Sequence, residues 1–237
     1  MSTNSTIEWT ECTWNPITGC KKVSTGCKNC YAERMAKRLK AMGNANYVNG
    51  FQLALHNHSL QIPFRWKKPR HIFVNSMSDL FHEDVPLDFI KKVFEVIKQA
   101  NWHTYQILTK RSECLLQLDS TLHWANNTWM GVSIENSDYT YRLDHLRLTN
   151  AALKFISFEP LLGPISKLNL KGINWVIVGC ESGPRARPTQ IEWVRLVRDQ
   201  CHKAKVPFFL KQLKNDKGKL IKMPLLDNKR WDEMPKH

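Results

Sequence analysis

Three cysteines, Cys20, Cys27 and Cys30, fall within eleven residues of the segment TWNPITGCKKVSTGCKNCYAERMAKRL, six residues separating the first pair and two the second. Thiols clustered in this way point to metal chemistry, because iron and zinc bind the deprotonated sulfur. Lys21, Lys22 and Lys28 stand beside them and favour the charged form. The stretch is rich in Gly, Ser, Thr and Lys, a composition suited to a loop that wraps a cluster and turns backbone N–H groups toward its sulfurs. Tyr31, Met35 and Leu39 follow at helical spacing, so the last cysteine is expected to open a helix. Three ligands leave two chemistries open. A structural zinc ion closes a tetrahedral shell and would need a fourth ligand, for which Cys12, His56 and His58 are candidates. A cluster with one iron lacking a protein ligand can instead bind a small molecule there.

Elements able to position such a site are legible in the hydrophobic pattern. Short β-branched or aromatic runs, each followed by residues at helical spacing, predict strands near Ile7 to Thr13, Ile72 to Asn75, Tyr105 to Leu108, Thr128 to Ile134, Leu153 to Phe158, Trp175 to Val178 and Phe208 to Leu210. Helices are predicted over Asn29 to Leu39, Leu87 to Ala100, Arg111 to Leu118, Ser137 to Leu148 and Thr189 to Lys203. This alternation implies an α/β fold with a largely parallel sheet, a partial (β/α)6 TIM-like barrel in one domain spanning residues 1–237. The basic segment at 212–237 shows little periodicity and reads as an extended cover or a tail.

Active sites of such folds gather at the carboxyl ends of the strands. Those ends supply Ser78 and Asp79, Lys110, Ser133 and Glu135, Glu159, Glu181 and Lys211, whose donor and acceptor types suit a small polar cofactor. Each could equally cap a helix or form an internal ion pair.

Composition narrows the partners. Thirty-five Lys plus Arg against 21 Asp plus Glu give a formal net charge of +14, a balance that attracts polyanions. The run FRWKKPRH places Arg65, Lys67, Lys68 and Arg70 around Trp66, cations for phosphates beside an aromatic surface for bases. Arg185 and Arg187, in a Gly-Pro-rich loop, could grip phosphates by paired hydrogen bonds. DNA or RNA is therefore the expected partner. No apolar run approaches the roughly 20 residues that cross a bilayer, and Met1 to Thr6 lacks the regions of a signal peptide, so a cytoplasmic protein with no membrane partner is expected.

The segments TWNPITGC, VSTGCKNCYA, MSDLFHEDVP, LTKR, GVSIEN, FISFEPLLGPI and WVIVGCESGPRARP, in this order, resemble the phage protein family named for gene products thirty-seven and sixty-eight, itself similar to radical S-adenosylmethionine (radical SAM) proteins. The likeness runs along nearly the whole chain. The six residues between Cys20 and Cys27 exceed the three usual in radical SAM proteins, while the interval of two before Cys30 is kept.

The resemblance implies a [4Fe-4S] cluster on Cys20, Cys27 and Cys30, with S-adenosylmethionine chelating its open iron and cleaved to a 5′-deoxyadenosyl radical by an electron from a donor such as flavodoxin or ferredoxin. It implies SAM contacts at Ser78 and Asp79, with Lys110, Ser133, Glu135, Glu159, Glu181 and Lys211 as further candidates. The family also resembles spore photoproduct lyase, which makes a DNA-repair lyase acting on thymine dimers the specific expectation, with Cys180 as a candidate hydrogen donor. Two other readings stay open: a zinc-stabilised nucleic-acid-binding protein without catalysis, and a radical SAM enzyme acting on another substrate.

Overall fold

A computed structural model describes residues 5–235, so Met1 to Asn4, most of the stretch read for a signal peptide, and the last two residues lie outside it. Eight strands form one sheet: β1 (Cys12–Trp14), β4 (His71–Val74), β5 (Thr104–Thr109), β6 (Thr128–Ser133), β7 (Leu153–Phe158), β8 (Trp175–Gly179), β9 (Phe208–Lys214) and β10 (Leu220–Lys222), in that order across the sheet. Every neighbouring pair is parallel except β9 and β10. Two short strands, β2 (Ile17–Thr18) and β3 (Ala54–Leu55), pair separately.

The described residues also form six α-helices: α1 (Tyr31–Ala41), α2 (Ile62–Arg65), α3 (Leu87–Gln99), α4 (Ser112–Leu118), α5 (Tyr141–Arg147) and α6 (Ile191–Ala204). The helices expected from apolar spacing are all present, with Cys30 as the N-cap of α1. Two corrections apply to the six-repeat expectation. The connection from β7 to β8 carries no helix, and the C-terminal segment contributes an antiparallel edge strand. The segment after β10 is a cover: Leu226 is buried, the Trp231 ring meets Phe208 edge-on, and Asp227 pairs with Arg195 and Arg198 of α6.

Strand periodicity sorts side chains to two faces. Ile72, Val74, Met130, Val132, Ile156, Val176 and Leu210 join the core beneath the helices, whereas Phe73, Trp129, Phe155, Trp175, Ile177 and Phe209 form a second cluster on the inner face. Trp9 lies among the latter, its ring 4.7 Å from Phe73 of β4, 6.5 Å from Phe155 of β7 and 6.2 Å from Trp175 of β8. One indole can touch strands so far apart in the sheet only because the sheet curls into a half-barrel, and Trp9 plugs its floor. This corrects the strand expected from Ile7: residues 7–10 turn, with Thr10 N–H donating to Ile7 O at 3.3 Å, to deliver Trp9 inward. Across the open side, Lys222 of β10 reaches Glu8 at 2.7 Å and Thr6 O at 2.6 Å.

Candidate functional site

Above the aromatic floor, at the carboxyl ends of the strands, lies a cavity of about 910 Å³. Its wall includes Cys27, Cys30, Tyr31, Lys110, Ser133, Glu159, Cys180, Glu181 and Lys211. The alternation that sends Leu108, Ser157 and Phe209 inward also directs Lys110, Glu159 and Lys211 two residues further on. Glu159 and Lys211 pair at 2.7 Å across β8. Gly179 of β8 leaves room for this, since a Cβ there would stand 2.7 Å from the Glu159 carboxylate.

The three cysteines are held by an elaborate set of bonds, and much of the polar chemistry at the strand ends serves it. The first anchor is at Gly19 and Cys20. Gly19 N–H donates to Met77 O at 3.1 Å, and the Ser78 hydroxyl donates to Gly19 O at 2.5 Å. Arg111, buried, donates from Nη1 to the Cys20 sulfur at 3.4 Å and from Nη2 to Lys21 O at 3.1 Å. The guanidinium is fixed in turn by Glu83 at 2.7 Å and Asp79 at 3.4 Å. Burial and the nearby Asp79 carboxylate push the Cys20 thiol up to about 11, with Arg111 pulling the other way. Burial opposes ionisation of Glu83, yet its backbone N–H and Arg111 hold that carboxyl down at about 2.

The second anchor is the turn before Cys27. Ser24 Oγ donates to Glu135 Oε1 at 2.6 Å, and Thr25 N–H donates to the Tyr139 hydroxyl at 3.2 Å. Glu135 is fully buried and also receives Arg142 at 3.0 Å and Lys110 at 3.5 Å. Arg142 lies under the Tyr139 ring, 4.4 Å from its centre, so both anchors of the turn rest on one buried guanidinium. Gly26 is required here, because a Cβ would stand 2.5 Å from the Glu135 side chain.

The third anchor is the 181–187 loop. Glu181 accepts from Asn29 Nδ2 at 2.9 Å and from Arg187 N–H at 2.8 Å and its guanidinium, while Arg187 Nη2 donates to Thr25 O at 2.8 Å. Burial works against the Glu181 charge, but these donors hold its pKa below the usual range. Cys30, between these anchors and α1, sits where the helix presents its positive end.

Several sequence-predicted residues therefore change role. Ser78, Asp79 and Glu135 stand behind the cavity wall, and their side chains are taken up by the cysteine loop and its supports. Asp79 accepts from Phe81 N–H, Thr109 Oγ, Lys110 N–H and Arg111, at 3.0, 2.7, 3.1 and 3.4 Å. Arg187 bonds Glu181 and Thr25, whereas Arg185 is exposed in the same loop. The FRWKKPRH run leads into the amino end of β4, the end of the barrel opposite the cavity. There Trp66 is buried, its carbonyl accepting from the Trp102 indole at 2.8 Å, and it offers no open ring for a base. Arg65, Lys67 and Lys68 are exposed at that end, and Arg70 lies 5.8 Å from the Trp66 ring centre. Sequence reasoning missed Arg142, Ser24 and Asn29, and saw Arg111 only as the end of LTKR; nothing in local pattern distinguishes a buried arginine from a surface one.

Among the described residues no group of three or more His, Cys, Asp or Glu side chains is gathered closely enough to hold one metal ion. The candidate fourth zinc ligands do not join the cysteines: Cys12 faces the helical layer, the His56 ring bonds Thr18 Oγ at 2.8 Å, and the His58 ring lies beside that of His56, 5.6 Å between centres. A single zinc with bonds of about 2.3 Å would draw its sulfurs to roughly 3.8 Å from one another. A cluster binds each thiolate through a different iron, so its protein ligands stand further apart. The three half-exposed thiols, with Arg111 donating to one of them and the cavity beside two of them, suit ligands that each bind a separate iron of a cluster.

The fold and site define a class: an α/β protein with a curled, mostly parallel half-barrel sheet carrying a three-cysteine loop at its carboxyl-end mouth. The chain belongs to the family described as protein of unknown function (DUF5131), which matches residues 4–235. No curated protein matches it. Among solved structures it is similar to a spore photoproduct lyase variant with bound AdoMet and dinucleoside spore photoproduct, at 13% identity and a TM-score of 0.46, covering 81% of this chain and 61% of that one. It is also similar to spore photoproduct lyase complexed with dinucleoside spore photoproduct, at 14% identity and a TM-score of 0.45, covering 79% of this chain and 59% of that one. The chain thus spans about three fifths of the length of either. No described helix is long and apolar enough to cross a membrane.

Proposed function

We propose that this chain is a radical SAM enzyme that acts on nucleic acid, with Cys20, Cys27 and Cys30 holding a [4Fe-4S] cluster. The observation that carries the reading is the cysteine loop itself, fastened by three independent anchors at the carboxyl end of a parallel half-barrel and opening on a cavity of about 910 Å³. A cluster bound there supplies the electron that cleaves S-adenosylmethionine. The cavity volume is near the top of the range for small-molecule sites, room for a SAM molecule and a reacting group together. Ser133, Lys110, Glu159, Glu181 and Lys211 are the wall residues able to orient SAM; the Glu159–Lys211 pair offers a carboxylate and an ammonium to its amino and carboxylate ends. The aromatic floor excludes water from below.

The specific reaction we favour is a lyase of the photoproduct type, opening a thymine dimer. Cys180 supports it: the residue is buried on the cavity wall, and burial pushes its thiol up to about 11, so at neutral pH the sulfur keeps the hydrogen that such a reaction must return to its product. A low-potential donor such as flavodoxin or ferredoxin would supply the electron.

The test is iron, sulfide and zinc content after anaerobic reconstitution, with absorption spectra before and after SAM. About four irons and four sulfides per chain are expected, with a SAM-perturbed spectrum, and Cys20→Ala, Cys27→Ala or Cys30→Ala should each lose the cluster. One zinc and no SAM response would overturn the assignment. Photoproduct-containing oligonucleotides then test the lyase: Cys180→Ala should keep the cluster and SAM cleavage while losing clean repair.

A further inference from the structure

The cations in and beside the cavity sort into two kinds. Lys110, Lys211 and Lys222 each face a carboxylate, Glu135, Glu159 and Glu8 respectively. Four others do not: Arg34 and Arg38, which line the cavity, and Arg185 and Lys214, which lie outside its lining around the 182–185 loop. Arg34 donates to the carbonyls of Ser182 at 2.9 Å and Asn29 at 3.3 Å, and Lys214 donates to Gly183 O at 3.2 Å. Arg185 is exposed in the same loop, and Arg38 stands one helical turn beyond Arg34. None of the four forms an ion pair among the described residues. Carbonyl dipoles orient Arg34 and Lys214 without cancelling their charge, so like charges are held together at one edge of an otherwise charge-balanced wall. Gly183, at φ +100°, allows this approach, because a Cβ there would stand 2.6 Å from the Arg34 guanidinium.

Beside these cations the same face of α1 presents apolar surface. Tyr31, Arg34, Met35, Arg38 and Leu39 all line the cavity, at the spacing of one helix face, and Tyr31 and Met35 are 46% and 42% exposed. Cations alternating with an aromatic ring and a thioether match a strand of nucleic acid, whose phosphates take the guanidinium and ammonium groups while an unstacked base rests on the apolar side chains. A cavity enclosed by strand ends and α1 admits a base-sized group but not a duplex, so the reacting base must leave its stack to enter.

We infer that the rim of Arg34, Arg38, Arg185 and Lys214, with Tyr31 and Met35, is a docking surface for single-stranded or locally unstacked nucleic acid. This rests on the proposed function and names how its substrate is held. The FRWKKPRH run, at the opposite end of the barrel, takes no part.

The test is fluorescence anisotropy of a labelled single-stranded oligonucleotide on cluster-loaded protein, titrated across salt concentrations. Arg38→Gln and Arg185→Gln remove exposed side chains that make no hydrogen bond among the described residues. Together they should weaken binding and flatten the log–log salt slope by about 1.4, two contacts at roughly 0.7 each for single strands. The triple variant Arg65→Gln/Lys67→Gln/Lys68→Gln should match the parent. The reverse pattern, with the triple variant weakened and the rim variant unchanged, would overturn the assignment, as would tighter binding of polyglutamate than of the oligonucleotide. Absence of oligonucleotide binding by the parent, with iron content and the SAM response intact, would reject the docking surface while leaving the radical SAM reading in place. Variants are compared at equal iron content, so a folding defect registers separately as lost iron.

Discussion

Arg111 shows how much one side chain organises. It is buried, and it links Glu83, Asp79, Lys21 O and the Cys20 sulfur, so it fixes the first cysteine and pairs with two carboxylates at once. Breaking a buried ion pair from one side typically costs about 3–5 kcal/mol, because the abandoned charge remains; exposure of Glu83 lowers that figure here. Arg111→Met should therefore reduce the urea midpoint and leave less iron bound per chain after reconstitution. Arg111→Lys, which keeps the charge but not the fork, should fall between. An unchanged iron content in Arg111→Met would show that the contact to Cys20 is incidental.

At the scale of elements, the turn from Ser24 to Cys27 is fitted to the end of β6 with no spare volume. Gly26 has Glu135 where its Cβ would be, at 2.5 Å, and Glu135 cannot retreat because Arg142 and Lys110 hold it from the other side. Gly26→Ala should lift the turn and separate Cys27 from Cys20 and Cys30, the other two ligands of the proposed cluster. The expected result is folded protein, with far-UV circular dichroism like the parent, carrying a fraction of the parent's iron and sulfide. Full cluster content in this variant would mean that the turn has slack the structure does not show.

Across the whole molecule, the carboxylates that fasten the mouth and the C-terminal cover govern behaviour in acid. Glu83 and Asp227 are each held down at about 2, from ordinary values of 4.5 and 3.8, and Glu181 is lowered as well. A carboxyl whose pKa is depressed by folding adds stability that is fully present above its unfolded value and is lost as pH falls through its folded value. Burial also lowers His56, His82 and His103 from their ordinary 6.5, so stability should begin to decline below about pH 6.5 and fall further from about pH 4.5 toward pH 2, while protonation raises a net charge already at +14 and adds self-repulsion. Urea midpoints measured between pH 7 and pH 2 check this. At pH 7 Glu83→Gln should lower the midpoint, and near pH 2 the difference should narrow. A gap that widened with acid would contradict the sign.

The cysteine spacing, the βα alternation and the strand ends were legible in the sequence because each depends on residues close together along the chain. Hydrophobic periodicity is a local property, so α3, α6 and the strands β6 to β9 could be read directly. Contact partners could not. Glu135 and Ser24 are 111 positions apart, and Arg111 and Cys20 are 91 apart, so no local pattern distinguishes a carboxylate that faces a cofactor from one that buttresses a loop. FRWKKPRH has the composition of a nucleic-acid surface, but it precedes β4 and so joins the amino end of that strand, opposite the carboxyl-end cavity, a consequence of strand direction already contained in the sequence order. Trp9 read as part of a strand, and only the closing of the half-barrel made it a floor. The sequence by itself determined which chemistry was available, through residue type and local spacing. The tertiary structure decided which of those residues face the cavity and which stand behind it, because only chain closure brings distant charges within bonding range.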